Sequence, residues 1–121
     1  MLKPKKLEKD SRLAAAESFQ KVYRNGRKFR HHGISVLVCQ NELAHSRIGI
    51  SVAKKQVPRA VDRNRIKRIV RESFRLRRDD LTANLDMVFL IYSTLLELSN
   101  HEIQLCLDFL WTKLISFYKK V

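Results

Sequence analysis

The chain contains few residues of the kinds that interrupt or cross-link a fold: three glycines, two prolines and two cysteines among 121 residues. Cys39 and Cys106 are too few for a disulfide scaffold and stand in no metal-type spacing, which favours a reducing compartment. No apolar run approaches the roughly 20 residues of a membrane span. The basic N-terminus leads into Leu7–Ser11 rather than an apolar segment, so it is not a secretory signal. We therefore expect a cytoplasmic protein that binds no membrane.

Acidic residues are also scarce: 12 Asp and Glu stand against 25 Lys and Arg, giving a net charge of +13. The imbalance is local, because residues 54–78 contain eleven Lys and Arg against two acids, whereas residues 79–121 are acidic overall. A block of this kind predicts a polyanionic partner. The length and the 45% hydrophobic content predict one folded domain over residues 1–121, in which residues 1–10 form a flexible basic tail.

Hydrophobic periodicity predicts six elements in the order helix, strand, strand, helix, strand, helix. Within 47–53, isoleucine and valine alternate with glycine, serine and alanine, so one strand face is apolar and the other nearly bare. Asp86–Tyr92 is almost continuously apolar, as in a strand buried on both faces. The fold class is therefore α+β, a two-layer domain with helices packed on a mixed sheet. The expected elements are Ser11–Arg24, Ile34–Cys39, Arg47–Ala53, Pro58–Arg78, Asp86–Tyr92 and a last helix opened by a Ser99–Glu102 capping box.

The central helix has two contrasting sides. Its inward stripe is Ile66, Ile69, Val70, Ser73 and Phe74, while Asn64, Lys67, Arg68, Arg71, Arg75 and Arg78 gather on the other side. Arginine makes bidentate phosphate contacts that lysine cannot, and a run of arginines without acidic partners repels itself unless a polyanion neutralises it. The alternative is a merely solvated basic face. The Arg63-Asn64-Arg65 tripeptide in the first turns suits hydrogen bonding to phosphates and 2′-hydroxyls of a folded RNA.

Two motifs together resemble a known family. Ser-Val-Ala-Lys-Lys at 51–55, followed by Ala-Val-x-Arg-Asn-Arg-Ile-Lys-Arg-x-x-Arg-Glu at 60–72, is similar to the signature of the protein subunit of bacterial ribonuclease P. The first and last helices fall at matching distances, so the resemblance covers nearly the whole chain. It implies an αβββαβα-type fold, in which the arginine-rich helix forms a left-handed βαβ crossover. Such crossovers are otherwise almost always right-handed.

The resemblance also implies a function. In that family the catalyst is an RNA, which binds most of the Mg²⁺, and the protein alone is inactive. The protein assists removal of the 5′ leader from precursor tRNA by binding both RNAs. The implied contacts with the catalytic RNA are Arg63, Asn64, Arg65, Lys67, Arg68, Arg71 and Arg75, and those with the single-stranded leader are Phe19, Tyr23, Ser51, Lys54 and Lys55.

Elementary physics is consistent with this picture, since single-stranded RNA binds by stacking on aromatic rings beside a positive groove. Phe19 and Tyr23 share a helix face, and the hydroxyl of Tyr23 suits a wet site, whereas Phe19 is equally well explained as a core residue. Leu37 stands where the family often has an aromatic residue, which weakens any stacking on that strand. We expect no catalytic and no metal-binding protein residues, because the four histidines show no ligand spacing.

Two other classes remain open from the residues alone. One is a non-catalytic ribosomal protein or another structured-RNA-binding protein. The other is a DNA-binding protein that places the arginine-rich helix in the major groove. The DNA class needs a helix-turn-helix partner or a dimerisation seam, and the sequence offers neither, so we expect no DNA partner.

Overall fold

The computed structural model describes residues 16–119, with side chains from residue 19 onward. Three helices and four strands account for most of this range, and short 3₁₀ turns follow the second helix and the last strand. No helix in this range is long and apolar enough to cross a membrane. In chain order the elements are α1 (Ala16–Asn25), β1 (Arg27–His31), β2 (Ile34–Gln40), β3 (Arg47–Ser51), α2 (Ala60–Arg77), β4 (Leu85–Ile91) and α3 (Asn100–Tyr118).

The four strands form one mixed sheet in the order β1-β2-β4-β3. Antiparallel pairing joins β1 to β2 and β2 to β4, whereas β3 and β4 are parallel and are connected through α2. The predicted mixed α+β sheet with helices packed on it is confirmed. The left hand of the β3–α2–β4 connection stays a prediction, as does the flexible tail over residues 1–10, which lies outside the described residues.

The order deduced from periodicity was wrong at one point, because it omitted β1. This strand reads Arg-Lys-Phe-Arg-His, with one apolar residue in five, and it lies at an edge of the sheet. Only Phe29 of this strand packs against the main core, so β1 carries no alternating apolar signal, unlike β3 at the other edge. The resemblance had implied this additional strand. At the other end of the sheet, β3 ends at Ser51 rather than Ala53.

One face of the sheet forms the main core with α2 and α3. Ile66, Val70 and Phe74 of α2 are fully buried there, as the inward stripe predicted. Trp111 of α3 lies between the layers, with its ring centroid 6.1 Å from that of Phe74. Its indole N–H donates to Ser73 Oγ over 3.1 Å. The hydroxyl of Ser73 is thereby satisfied inside the interface, which explains a polar residue in the inward stripe.

The last helix begins as predicted and ends differently. The Ser99–Glu102 capping box is present, with Ser99 accepting from the Glu102 N–H. Phe117, expected in the core stripe, is instead 49% exposed. Its ring makes an edge contact with Phe29 at 5.7 Å, and the Arg27 guanidinium lies 4.4 Å from its centroid. The reason is that α3 reaches past the sheet centre to the narrow β1 edge.

The opposite face of the sheet is covered by α1 only in part. Val22 of α1 and Val88 of β4 are both fully buried and form a small second core. The Gly26 N–H donates to the Val22 carbonyl over 2.7 Å, so Asn25-Gly26 ends the helix as predicted. Residues 11–15 of the predicted first helix lie outside the described residues. The sheet is thus a layer between a large core and a small one.

A buried carboxylate fixes how β3 and β4 pair. Asp86 is 2% exposed and lies opposite Arg47 in the parallel register. The guanidinium donates to both of its oxygens, from Nε over 2.9 Å and from Nη2 over 2.7 Å. Asn41 Nδ2 adds a third hydrogen bond at 2.8 Å. Burial opposes ionisation of Asp86, but these donors outweigh it, and the pKa of Asp86 lies below its ordinary value.

We predict that Asp86→Asn lowers the free energy of unfolding by about 1–3 kcal/mol at neutral pH, because Arg47 loses its charged partner. A group with a lowered folded-state pKa stabilises above its unfolded pKa, and that contribution disappears as pH falls through the folded value. The difference between wild type and variant should therefore shrink below about pH 4. Urea unfolding at several pH values measures it.

The matched control is Asp108→Asn, an exposed carboxylate without an ion pair among the described residues. Its unfolding free energy should stay close to that of wild type. A pH-independent deficit in Asp86→Asn would show that the charge of Asp86 does not matter.

Candidate nucleic-acid interface

The outward side of α2 presents the predicted basic surface. Asn64, Arg68 and Arg71 are exposed, and Lys67 beside them is half-buried. Within residues 16–119, Arg68 and Arg71 form neither an ion pair nor a side-chain hydrogen bond. Because the opposite side of α2 is locked into the core, their backbone positions are rigid. We call Asn64, Lys67, Arg68 and Arg71 the α2 surface.

Arg63 and Arg65 have structural partners that the sequence did not reveal. Arg63 Nη1 donates to the carbonyls of Val57 and Pro58 over 2.9 and 2.8 Å, which closes the loop entering α2. Arg65 donates to Asn100 Oδ1 at the start of α3 and lies 3.7 Å from Asp62. A guanidinium has several N–H donors, so these contacts leave others available to RNA. They also present the intervening Asn64 to solvent.

Arg75 differs from the prediction that it lacks an acidic partner. It forms an ion pair with Glu72, one helical turn earlier, donating from Nε over 3.1 Å and also from Nη2. This hydrogen bonding lowers the pKa of Glu72. The i,i+3 spacing of the two residues was a readable signal for this pair. Glu72 therefore offsets the charge of Arg75, which makes Arg75 a weaker site for phosphate than Arg68 or Arg71.

The predicted lysine pair follows β3 directly. Lys54 and Lys55 are both exposed in a turn that is anchored on its far side by the fully buried Val57. Gln56 Oε1 accepts a hydrogen bond from the Ser93 N–H over 2.9 Å, which ties the turn to the chain after β4. The two ammonium groups are thereby held between the end of the sheet and the beginning of α2.

The sheet face on the α1 side carries the small residues that the alternation predicted. Gly49 and Ser51 are in register with Val88 and Leu90, so all four lie on this face. Ile48 and its alternate neighbours point into the main core. We call this side of the sheet, which lies beside α1 and includes Gly49, Ser51, Val88 and Leu90, the cleft face. Gly49 is buried and Ser51 is half-buried, so the Ser51 end of this strand is where a nucleic-acid backbone could approach closely.

The two aromatic residues of α1, Phe19 and Tyr23, differ in how exposed they are. Their rings stack with centroids 6.4 Å apart at an interplanar angle of 29°. Phe19 is half-buried and packs against the Val22–Val88 core, whereas Tyr23 is 48% exposed. Phe19 therefore contributes to packing and can still present a ring edge. Tyr23 has the exposed area that base stacking requires.

The sequence missed two basic residues of the cleft face because it missed β1. Lys28 and Arg30 pair with Leu37 and Ser35, which places them on the same side of the sheet as Val88 and Leu90. The Arg30 guanidinium lies 5.0 Å from the ring centroid of Tyr92. Positive charge thus borders the cleft face at both ends, with Lys54 and Lys55 beyond β3. Their spacing at alternate positions in the chain was the available signal.

The carboxylates near these surfaces are engaged by arginine. Asp86 is bound by Arg47, Glu72 by Arg75, and Asp62 by Arg65 and Arg59. Among the described residues, no group of three potential metal ligands contains a carboxylate. These carboxylates are therefore occupied by arginine in residues 16–119. The basic and aromatic side chains of these surfaces can bind phosphates and stack unpaired bases.

Comparison with known proteins shows which family this chain resembles. The family model described as Ribonuclease P matches residues 7–115. The chain is 42% identical over 106 residues to the ribonuclease P protein component of Photobacterium profundum, covering 88% of this chain and 89% of the relative. The corresponding protein of Proteus mirabilis is 40% identical over 105 residues, or 87% of each chain.

Solved structures show the same architecture. The Staphylococcus aureus RNase P protein superposes with a TM-score of 0.80 at 29% identity, over 90% of this chain and 98% of the other. The Thermotoga maritima RNase P protein gives a TM-score of 0.75 at 27% identity, over 84% and 96%. Fold, sequence and basic surface thus agree, and the chain belongs to the ribonuclease P protein family.

Proposed function

We propose that the α2 surface binds the catalytic RNA of ribonuclease P and that the cleft face holds the 5′ leader of precursor tRNA. Because the chain belongs to this family, it is the protein subunit of an enzyme that processes tRNA leaders. The observation that carries the first part is the pair Arg68 and Arg71, exposed and unneutralised on a rigid helix. Such guanidinium groups are suited to bidentate phosphate contacts.

The leader is proposed to lie across the cleft face. Tyr23 offers an exposed ring, Ser51 belongs to the strand of small residues, and Lys54 and Lys55 supply charge at its end. Single strands bind where stacking and positive charge combine, and this pairing needs no particular base sequence. Lys28 and Arg30 extend the positive border to the opposite edge. The cleft face would thus bind the leader while the α2 surface binds the catalytic RNA.

We assign the cleavage chemistry to the RNA subunit. The charged groups of this chain nearest the proposed interface are arginines, lysines and arginine-bound carboxylates, which do not fit Mg²⁺. Cys39 and Cys106 are free thiols, which supports the proposed cytoplasmic location.

The first test concerns the origin of the chemistry. We expect the purified protein alone to leave precursor tRNA intact, and cleavage at the 5′ end to appear when ribonuclease P RNA and Mg²⁺ are added. A gel-based processing assay measures this, with RNA alone at the same salt as the reference. Specific 5′ processing by RNA-free protein would contradict the assignment.

The α2 surface is tested by Arg68→Ala and Arg71→Ala. Each variant should bind the RNA subunit more weakly, and the slope of log affinity against log salt should fall by about 0.7–0.9 per lost phosphate contact. Thermal stability should stay nearly constant, because both side chains point away from the core. Filter binding over a salt series measures the slope.

Arg77→Ala is the matched control for these two variants. Arg77 belongs to the same helix but is paired with Asp80 at 3.5 Å, and helical geometry places it on the other side from Arg68. Its salt slope should equal that of wild type. Equal slopes in all three variants and wild type would mean that the α2 surface is only solvated.

The cleft face is tested at Tyr23 and Phe19. Tyr23→Ala should weaken binding of precursor tRNA by about 1–3 kcal/mol and leave mature tRNA unaffected, since only the precursor has a leader. Tyr23→Phe keeps the ring and should retain most affinity. Phe19→Ala should lower thermal stability as well, because Phe19 packs on the Val22–Val88 core. Equal losses for both tRNAs in Tyr23→Ala would remove this residue from the leader site.

A further inference from the structure

Three side chains outside the proposed RNA interface meet between β1 and α3. One ligand atom each from His31, His32 and Cys106 lies within 4.8 Å of the other two. His31 is half-buried, His32 is exposed and Cys106 is buried, so the cluster opens to solvent on one side. The two histidines are adjacent in the chain but Cys106 is distant from them, so sequence spacing gave no sign of the cluster.

The backbone explains how adjacent histidines come to share one site. Successive side chains of a strand point to opposite faces, so a straight strand would separate the two rings. His32 instead has φ of 53° and is the one non-glycine residue with positive φ in the described chain. This left-handed turn brings its ring to 4.7 Å from that of His31. Most residues with a side chain disfavour a positive φ, and this uncommon backbone conformation of His32 is what brings the two histidine rings together.

The turn that contains His32 and Gly33 packs against the chain segment that follows β4. The Gly33 carbonyl accepts from the Tyr92 N–H over 2.9 Å. A Cβ atom at Gly33 would lie 2.5 Å from the Leu95 nitrogen, so only glycine allows this contact. On the other side, the His31 ring stacks on Phe109 with centroids 4.1 Å apart. Packing thus fixes the His31 ring and the backbone turn that carries His32.

We propose that His31, His32 and Cys106 bind a divalent transition-metal ion of the zinc class. Two imidazoles and one thiolate are the ligands that such ions prefer over Mg²⁺ or Ca²⁺. In a tetrahedral zinc site, bond lengths of about 2.0–2.3 Å put neighbouring donor atoms about 3.3–3.7 Å apart. The donor atoms lie within 4.8 Å of one another without an ion, so binding requires them to move closer together, and the exposed His32 side chain has room to do so. The open side leaves a fourth position for water.

Burial shifts the pKa of two of the three ligands, favouring coordination by His31 and opposing thiolate formation at Cys106. Burial and the charges of His32 and Lys113 lower the pKa of His31, which keeps its imidazole neutral and able to coordinate. Burial and the charge of Glu102 raise the pKa of Cys106, so the free thiol keeps its proton. A bound ion displaces that proton and forms the metal–thiolate bond. The thiolate also offsets part of the positive charge that Lys113 contributes.

Binding has a structural consequence. The ligands come from β1, from the turn after it and from α3, and they converge only in the folded chain. An ion that binds the native state alone stabilises it. It would fasten α3 to the edge strand that carries Lys28 and Arg30. The expectation of no metal-binding residues is replaced by this proposal.

Tag-free, chelator-stripped full-length protein should be titrated with Co²⁺, which reports ligation by its absorption. We expect saturation at one ion per chain, with a sulfur-to-cobalt charge-transfer band and tetrahedral-type d–d bands. Zn²⁺ should abolish these bands by competition and raise the melting temperature. In Cys106→Ser the charge-transfer band should vanish, and in His32→Ala binding should weaken at least about tenfold.

Cys39→Ser and His101→Ala are the matched controls, and both should retain the wild-type spectrum and affinity. Because His32 is exposed, His32→Ala tests the site without disturbing the core, and its melting temperature without metal should equal that of wild type. The proposal is overturned if wild type shows no charge-transfer band, if the band persists in Cys106→Ser, or if His32→Ala binds as tightly as wild type.

Discussion

The pairing of Arg47 with Asp86 determines the register on which the rest of the structure depends. β4 is almost uniformly apolar, so many alignments with a neighbouring strand would bury similar hydrophobic area. Its one carboxylate has two guanidinium hydrogen bonds and a third from Asn41 in the observed alignment. A one-residue slip would leave a buried charge unpaired, which is costly. The Arg47–Asp86 pair therefore selects one strand register among several that would bury similar apolar area.

That register places the candidate interfaces. With Arg47 opposite Asp86, Gly49 and Ser51 face α1, and β3 ends where Lys54 and Lys55 enter solvent. The connection then returns through α2, whose apolar stripe packs against Trp111 and the sheet. The arginines on its other side are directed outward as a consequence. The positions of both the cleft face and the α2 surface thus depend on the register between β3 and β4.

Sequence reasoning succeeded where a pattern is local. Ile66, Val70 and Phe74 at helical spacing predicted the buried side of α2, and the capping box predicted the start of α3. It failed where partners are distant in the chain, as for Arg65 reaching Asn100 and Cys106 meeting the histidines. Such contacts depend on tertiary packing, which periodicity does not encode. β1 was missed because it contributes only Phe29 to the core. The interface roles rested on the resemblance.

The complete enclosure of β4 has a consequence for how the molecule fluctuates. This strand pairs on both edges, and residues such as Val88 and Met87 are fully buried on opposite faces. Its amide hydrogens can reach water only when β2 or β3 detaches and a core opens, so their exchange reports the global opening of the molecule. The edge strand β1, in contrast, can fray alone. Deuterium uptake should therefore begin at the edge strands β1 and β3, and β4 should exchange last.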